Sequence, residues 1–200
     1  MRLVSVTLKN FRCYQDPKTI RLSDLTALIG RNDIGKSTVL EALEIFFNNG
    51  VVRIDSDDCS VGAEDRQVEI TCEFDELPAS LVLDAQAQTS LADEYLTSAN
   101  GTLLIKKVYR CTSAKPKEEI FVCAHHPTAD QYCDLLELTN AALKSRLRDL
   151  SISQNGVQLN NNPSIRKAIW SQCADLCLGE VDIPVAKEDG KRIWEKLSVE

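Results

Sequence analysis

Gly30, Gly35, Lys36 and Ser37 stand at the spacing G-x-x-x-x-G-K-S. Each residue type has a task in holding a polyphosphate. The two glycines let the backbone approach a ligand without a Cβ in the way. The loop's N–H groups then point inward, and the helix that follows adds the positive end of its dipole. Lys36 reaches the β- and γ-phosphates as a point charge and is the catalytic residue of the set. The Ser37 hydroxyl ligates Mg²⁺, and Thr38 adds a contact to the α-phosphate. Arg31, Asn32, Asp33 and Ile34 complete the loop between the glycines. The predicted ligand is a nucleoside triphosphate, ATP with Mg²⁺. The alternative is a chance glycine-rich turn, and the four motif residues with the strand and helix expected on either side weigh against it.

Those flanks are a buried strand and a helix. Residues 25–29, Leu-Thr-Ala-Leu-Ile, are almost wholly apolar and end at Gly30, which predicts a strand buried on both faces as in a parallel sheet. A helix is expected to open at Gly35 and Lys36 and to run to Asn48. Its apolar positions 39, 42, 43 and 46 follow helical spacing, and Asn48-Asn49-Gly50 is a stop signal. Upstream, residues 2–9 alternate with Leu3, Val4, Val6 and Leu8 and read as a strand, with a second at 17–22 after Asp16-Pro17.

Downstream, residues 51–66 are polar and read as a loop. Gln67 to Phe74 places Val68, Ile70, Cys72 and Phe74 on one face of a strand. Strands are also expected at 102–111 and 119–124, joined by a hairpin loop through Lys115-Pro116-Lys117. Residues 79–98 read as helical. Residues 67–125 thus form an antiparallel lobe beside the loop-bearing core at 1–50. The last third is helical: 133–150, a helix starting at Asn162-Pro163 with Asn as cap, and a third over 188–197. The expected organisation is an α/β domain over 1–130 and a helical segment over 131–200.

Composition sets outer limits. The 200 residues carry a net charge of −7, spread unevenly. Residues 1–53 hold eight Lys/Arg against five Asp/Glu, a surplus of +3, while the remainder holds 15 against 25, a deficit of −10. The first part suits phosphate, and the second argues against strong DNA binding by this chain on its own. No run approaches a membrane span, and the N-terminus lacks the apolar core of a signal peptide, so a cytosolic protein is expected. The eight cysteines show no CxxC pair and read as reduced thiols, several of them buried. Cys173 and Cys177, with His125 and His126 elsewhere, do not match zinc-finger spacing.

Two stretches carry a family resemblance. Leu3-x2-Val6-x-Leu8-Lys9-Asn10-Phe11-Arg12, then about twenty residues, then the run from Leu28 through Thr38 to Leu40, Ala42 and Leu43, resembles the N-terminal half of ABC-type ATPases of the SMC/RecF/OLD group. Asn-Phe-Arg paired with Asn-Asp-x-Gly-Lys is most similar to the OLD ATP-dependent nucleases. The resemblance covers residues 1–48. It implies an α/β, ABC-type P-loop NTPase half-domain with an antiparallel β lobe and a C-terminal helical segment. It implies that Arg12 lies near the nucleotide phosphates, where residue type alone equally allows a surface charge. For a full protein of that kind it implies head-to-head homo-oligomers, a DNA partner, a Toprim nuclease domain and a role such as phage defence.

Such ATPases also need a Walker B run ending in Asp-Glu and a Ser-Gly-Gly signature. No Ser-Gly-Gly occurs in the sequence. Leu81-Val82-Leu83-Asp84 and Glu73-Phe74-Asp75-Glu76 mimic Walker B but come too early, and they read as structural. The expectation is therefore the N-terminal part of a longer ATPase. The competing readings are a small self-contained kinase or GTPase and a regulatory module that binds nucleotide without hydrolysis. The guanine motif Asn-Lys-x-Asp and an Arg-rich lid are both missing.

Overall fold

The computed structural model describes residues 1–31, 35–48, 50–84 and 87–184. The chain folds as two compact units, Met1–Leu77 with Leu104–Val122, and Pro78–Leu103 with Cys123–Glu200. Its elements are strands β1 (Arg2–Lys9), β2 (Lys18–Arg21), β3 (Gln67–Asp75), β4 (Leu81–Asp84), β5 (Ala87–Thr89), β6 (Leu103–Arg110), β7 (Lys117–Pro127) and β8 (Leu178–Pro184). Helices are α1 (Lys36–Phe47), α2 (Asn140–Asp149) and α3 (Asn162–Trp170). Six strands form one antiparallel sheet in the order β2-β1-β3-β6-β7-β8, and β4 and β5 form a separate hairpin.

In the first unit, β1 pairs antiparallel with β2 on one side and β3 on the other. The period of two in β3 is realised: Val68, Ile70, Cys72 and Phe74 are buried, and the residues between them are half-buried. α1 buries Thr38, Val39, Ala42, Ile45 and Phe46. The Phe47 ring meets Phe74 edge-on, with centroids 6.2 Å apart. Full burial of Val39, Ile45 and Phe46 contributes about 1.5–3 kcal/mol for each side chain. This apolar contact, rather than helix propensity, holds so short a helix in place.

Residues 25–29 do not form the predicted strand. They run as an exposed connection, with Leu25 and Ile29 89% and 90% accessible. Apolar sequence alone does not make a strand, because the backbone N–H and C=O groups need a ladder. β2 is the edge of the sheet on that side, and among the described residues no strand pairs with 25–29.

The second unit carries α2 and α3 around a core of Leu135, Leu143, Leu147, Ile165, Ile169 and Trp170. The helix expected over 133–150 begins only at Asn140, where the Thr139 hydroxyl accepts the N–H of Ala142. The helix at 162 is capped one residue earlier than expected, by Asn161, which accepts the N–H of Ser164, with Pro163 in the first turn. Residues 79–98 are not helical. Leu81 and Val82 pair with Thr89 and Gln88 in the β4–β5 hairpin, and turns follow. β8 was not foreseen, and the helix expected at 188–197 lies outside the described residues. All eight thiols are free, but only Cys59, Cys72 and Cys111 are buried.

Candidate phosphate site

The site is built where a tight turn meets the start of α1. Phe11 and Tyr14 exchange backbone hydrogen bonds, Phe11 N–H to Tyr14 O at 3.0 Å and Tyr14 N–H to Phe11 O at 2.9 Å, which leaves Arg12 and Cys13 at the tip. Arg12 takes a left-handed backbone (φ 51°). That conformation costs a non-glycine residue about 1–2 kcal/mol. It is offset by three bonds to one segment: the Arg12 N–H to Asp58 O at 2.7 Å, the Ser60 hydroxyl to Arg12 O at 2.8 Å, and the Arg12 Nε to Asp58 Oδ1 at 2.7 Å. Asp58 is itself fixed, because its carboxylate and that of Asp55 form a reciprocal cap on the 3₁₀ turn Ser56–Asp58.

Gly35 closes the loop onto α1. It is left-handed, with φ 90° and ψ 14°. A Cβ built on it would lie 2.6 Å from Cys13 Sγ and 3.0 Å from the Tyr14 hydroxyl. Both counts require glycine: the backbone angle disfavours a side chain, and the 11–14 turn fills the space one would need. The Tyr14 hydroxyl donates to the Gly35 carbonyl at 3.1 Å, and the Val39 N–H reaches the same carbonyl at 3.3 Å as the first bond of the helix. Burial raises the Tyr14 pKa, with the neighbouring Cys13 adding to it, so the phenol stays protonated as a donor.

Lys36 is the first residue of α1, as the motif predicts. Its ammonium turns back across the loop and donates to the carbonyls of Gly30 (2.8 Å) and Arg31. The positive charge is thereby held over the loop rather than released to solvent. Ser37 is exposed on the first turn and Thr38 is buried. The first turn of α1 contains no acidic residue and makes no side-chain cap hydrogen bond. Asn32, Asp33 and Ile34 lie outside the described residues.

Arg12 is clasped by two carboxylates, Asp58 and Glu41, the latter on α1. Burial works against its charge, but the hydrogen bonds to Asp58 and Glu41 outweigh it and keep the pKa above its ordinary value. The guanidinium also stacks over Phe11, 5.0 Å from the ring centroid. Sequence reasoning singled out Arg12 but missed Cys13, Tyr14, Glu41 and Asp58. Only the contact of the 11–14 turn with Gly35 reveals the first two. Of the two Walker B mimics, the run 73–76 is occupied structurally. Asp75 pairs with Arg2 at 2.6 Å and Glu73 accepts the Ser5 hydroxyl at 2.7 Å, while Asp84 ends the β4 strand of the hairpin.

A family model for the AAA ATPase domain matches residues 1–199. The chain belongs to that family. The mixed α/β architecture with its six-stranded antiparallel sheet is consistent with an AAA-type P-loop ATPase domain. No protein of curated function matches the sequence. No helix among the described residues of this ATPase domain is long and apolar enough to cross a membrane.

Proposed function

We propose that this AAA ATPase domain binds ATP with Mg²⁺ through residues 30–38, with Lys36 as the principal phosphate ligand and catalytic cation. The observation that carries the reading is the left-handed Gly35, packed so tightly that a Cβ would meet Cys13 Sγ at 2.6 Å, leading directly into Lys36 at the head of α1. Gly30, Arg31, Asn32, Asp33, Ile34 and Gly35 supply the backbone cradle. Lys36 leaves the carbonyls of Gly30 and Arg31 for the β- and γ-phosphates. Thr38 supports the α-phosphate side. The residues present suit the metal as well: the exposed Ser37 hydroxyl is a hard oxygen donor on the first turn. When bound, Mg²⁺ would neutralise charge on the β- and γ-phosphates. Arg12 reaches phosphate by exchanging its bond to Glu41 for one to the nucleotide.

The role proposed for this ATPase is to couple its nucleotide state to DNA processing, as in the OLD nucleases, with phage defence as the setting and pairing of ATPase heads as the means. The support is the combination of Asn10-Phe11-Arg12 with the loop at residues 30–38.

Calorimetric titration of Mg-ATP into the wild-type chain and into Lys36→Ala tests the binding reading. The Lys36 ammonium bonds the loop carbonyls. Its loss is therefore expected to remove ATP binding and leave the fold intact. Equal affinity in the two proteins refutes the assignment.

A further inference from the structure

The Tyr14 hydroxyl touches the carbonyl that begins α1, and no residue of the phosphate-loop motif accounts for this contact. We propose that Tyr14 is a positioning residue for anion binding. Its hydroxyl fixes the peptide between Gly35 and Lys36 so that the Lys36 N–H faces a bound phosphate. The inference rests on the phosphate-loop reading and adds a residue to it.

A trans peptide is planar, so the Gly35 C=O and the Lys36 N–H point in opposite directions along one rigid unit. Whatever holds the carbonyl therefore aims the N–H. Two donors hold it, the Tyr14 hydroxyl at 3.1 Å and the Val39 N–H at 3.3 Å. Each contact is slightly long for its type, so the two donors share the work. Lys36 is the first helical residue, and its N–H is one of those with no carbonyl inside the helix to bond. A donor on the carbonyl side also polarises the peptide and strengthens the N–H as a donor on the other side. The phenol is set in place from behind. The exchange of backbone bonds between Phe11 and Tyr14 fixes its backbone, and the Arg12 contacts with Asp58 and Ser60 anchor the turn to residues 55–60.

The ligand class this geometry serves is a polyphosphate, because the aimed group is a backbone N–H at a helix start beside a lysine ammonium. The base of a nucleotide takes no part. The loss on removing the hydroxyl is therefore the same for Mg-ATP and for inorganic tripolyphosphate.

The test titrates the full chain as wild type, Lys36→Ala and Tyr14→Phe with Mg-ATP and with Mg-tripolyphosphate. It also follows the Lys36 amide by NMR in ¹⁵N-lysine-labelled protein. If the wild type binds neither probe, the phosphate-loop reading itself fails and this inference falls with it. If the wild type binds and Lys36→Ala does not, the expected result for Tyr14→Phe is about fivefold weaker binding of both probes, the size of one net hydrogen bond. The ligand-free chain stays folded, with a stability loss no larger than one hydrogen bond, about 1 kcal/mol, and the ligand-induced shift of the Lys36 amide shrinks. Unchanged affinity overturns the inference alone. A fall in affinity with an unaltered Lys36 amide response, or a Tyr14→Phe chain that does not fold, makes the hydroxyl a structural contact and equally overturns it.

Discussion

Substituting Gly35→Ala probes the geometry on which the phosphate site depends, and its cost can be built from two separate sources. The first is the backbone. At φ 90° a residue with a Cβ is in the left-handed region, which disfavours an L side chain by about 1–2 kcal/mol. The second is space. The new methyl group would lie 2.6 Å from Cys13 Sγ and 3.0 Å from Tyr14 Cε2, so the 11–14 turn must shift. Overpacking of this kind costs about 1–3 kcal/mol. Together they give about 2–5 kcal/mol, expressed in the unit that contains β1, β3 and α1. Hydrogen exchange of the β1 and β3 amides reads the stability of that unit, and titration with Mg-ATP reads the site. Affinity is expected to fall along with stability, because moving the turn also moves the Tyr14 hydroxyl. The pair Gly35→Ala with Cys13→Ala separates the two sources. Removing Sγ relieves the closest contact but leaves the Tyr14 contacts at 3.0 Å and the backbone cost of about 1–2 kcal/mol in place. A Gly35→Ala chain within about 0.5 kcal/mol of wild type, with unchanged ATP affinity, would refute both the left-handed turn and the packing argument.

Two further predictions concern the second unit. Arg166 and Glu94 are 2% and 1% exposed, and are joined by Nε–H to Oε2 at 2.7 Å and by a second N–H to Oε1 at 3.0 Å. Arg166→Ala leaves a buried carboxylate without its cation and is expected to destabilise this unit by about 3–5 kcal/mol, while Arg166→Met with Glu94→Leu recovers most of the loss; urea unfolding followed by Trp170 fluorescence decides. His126 is buried, its Nδ1–H donates to the Tyr95 carbonyl at 2.9 Å, and among the described residues no group lies within hydrogen-bonding geometry of its Nε2. Burial holds its pKa below the ordinary value, against the opposing pull of the Tyr95 and Cys133 carbonyls and of the Glu94 charge. The unfolded chain therefore takes up a proton near pH 6.5 that the native state resists, so stability falls as the pH drops through that region. His126→Gln is expected to flatten this part of the stability–pH curve, and an unaltered slope counts against the assignment.

Period and motif made much of this protein legible. β1, β3 and α1 follow from alternation and helical spacing, because each buries one face against neighbours that the pattern alone anticipates. Gly35 and Lys36 were legible for a similar reason. A left-handed turn needs glycine, a helix-start anion site needs a cation, and both demands act over a few residues. The reading of 79–98 as helix failed because local preference there is weak. Pairing of Leu81 with Thr89, a choice made across the hairpin, decides the outcome instead.

The longer-range choices were settled only by tertiary structure. The apolar run 25–29 reads as a core strand, yet Ile29 is 90% exposed, because a strand exists only where another chain segment offers its hydrogen bonds. That Tyr14 bonds Gly35, 21 residues away in sequence, and that Arg12 bonds Asp58, 46 away, depends on how the 11–14 turn is anchored. Nothing in the residue types near position 12 specifies those partners. The sequence by itself determined that a glycine turn leads into a lysine at the head of a helix. The tertiary structure decided which side chains stand behind them, because a hydrogen bond across such separations forms only after the sheet has brought its two ends together.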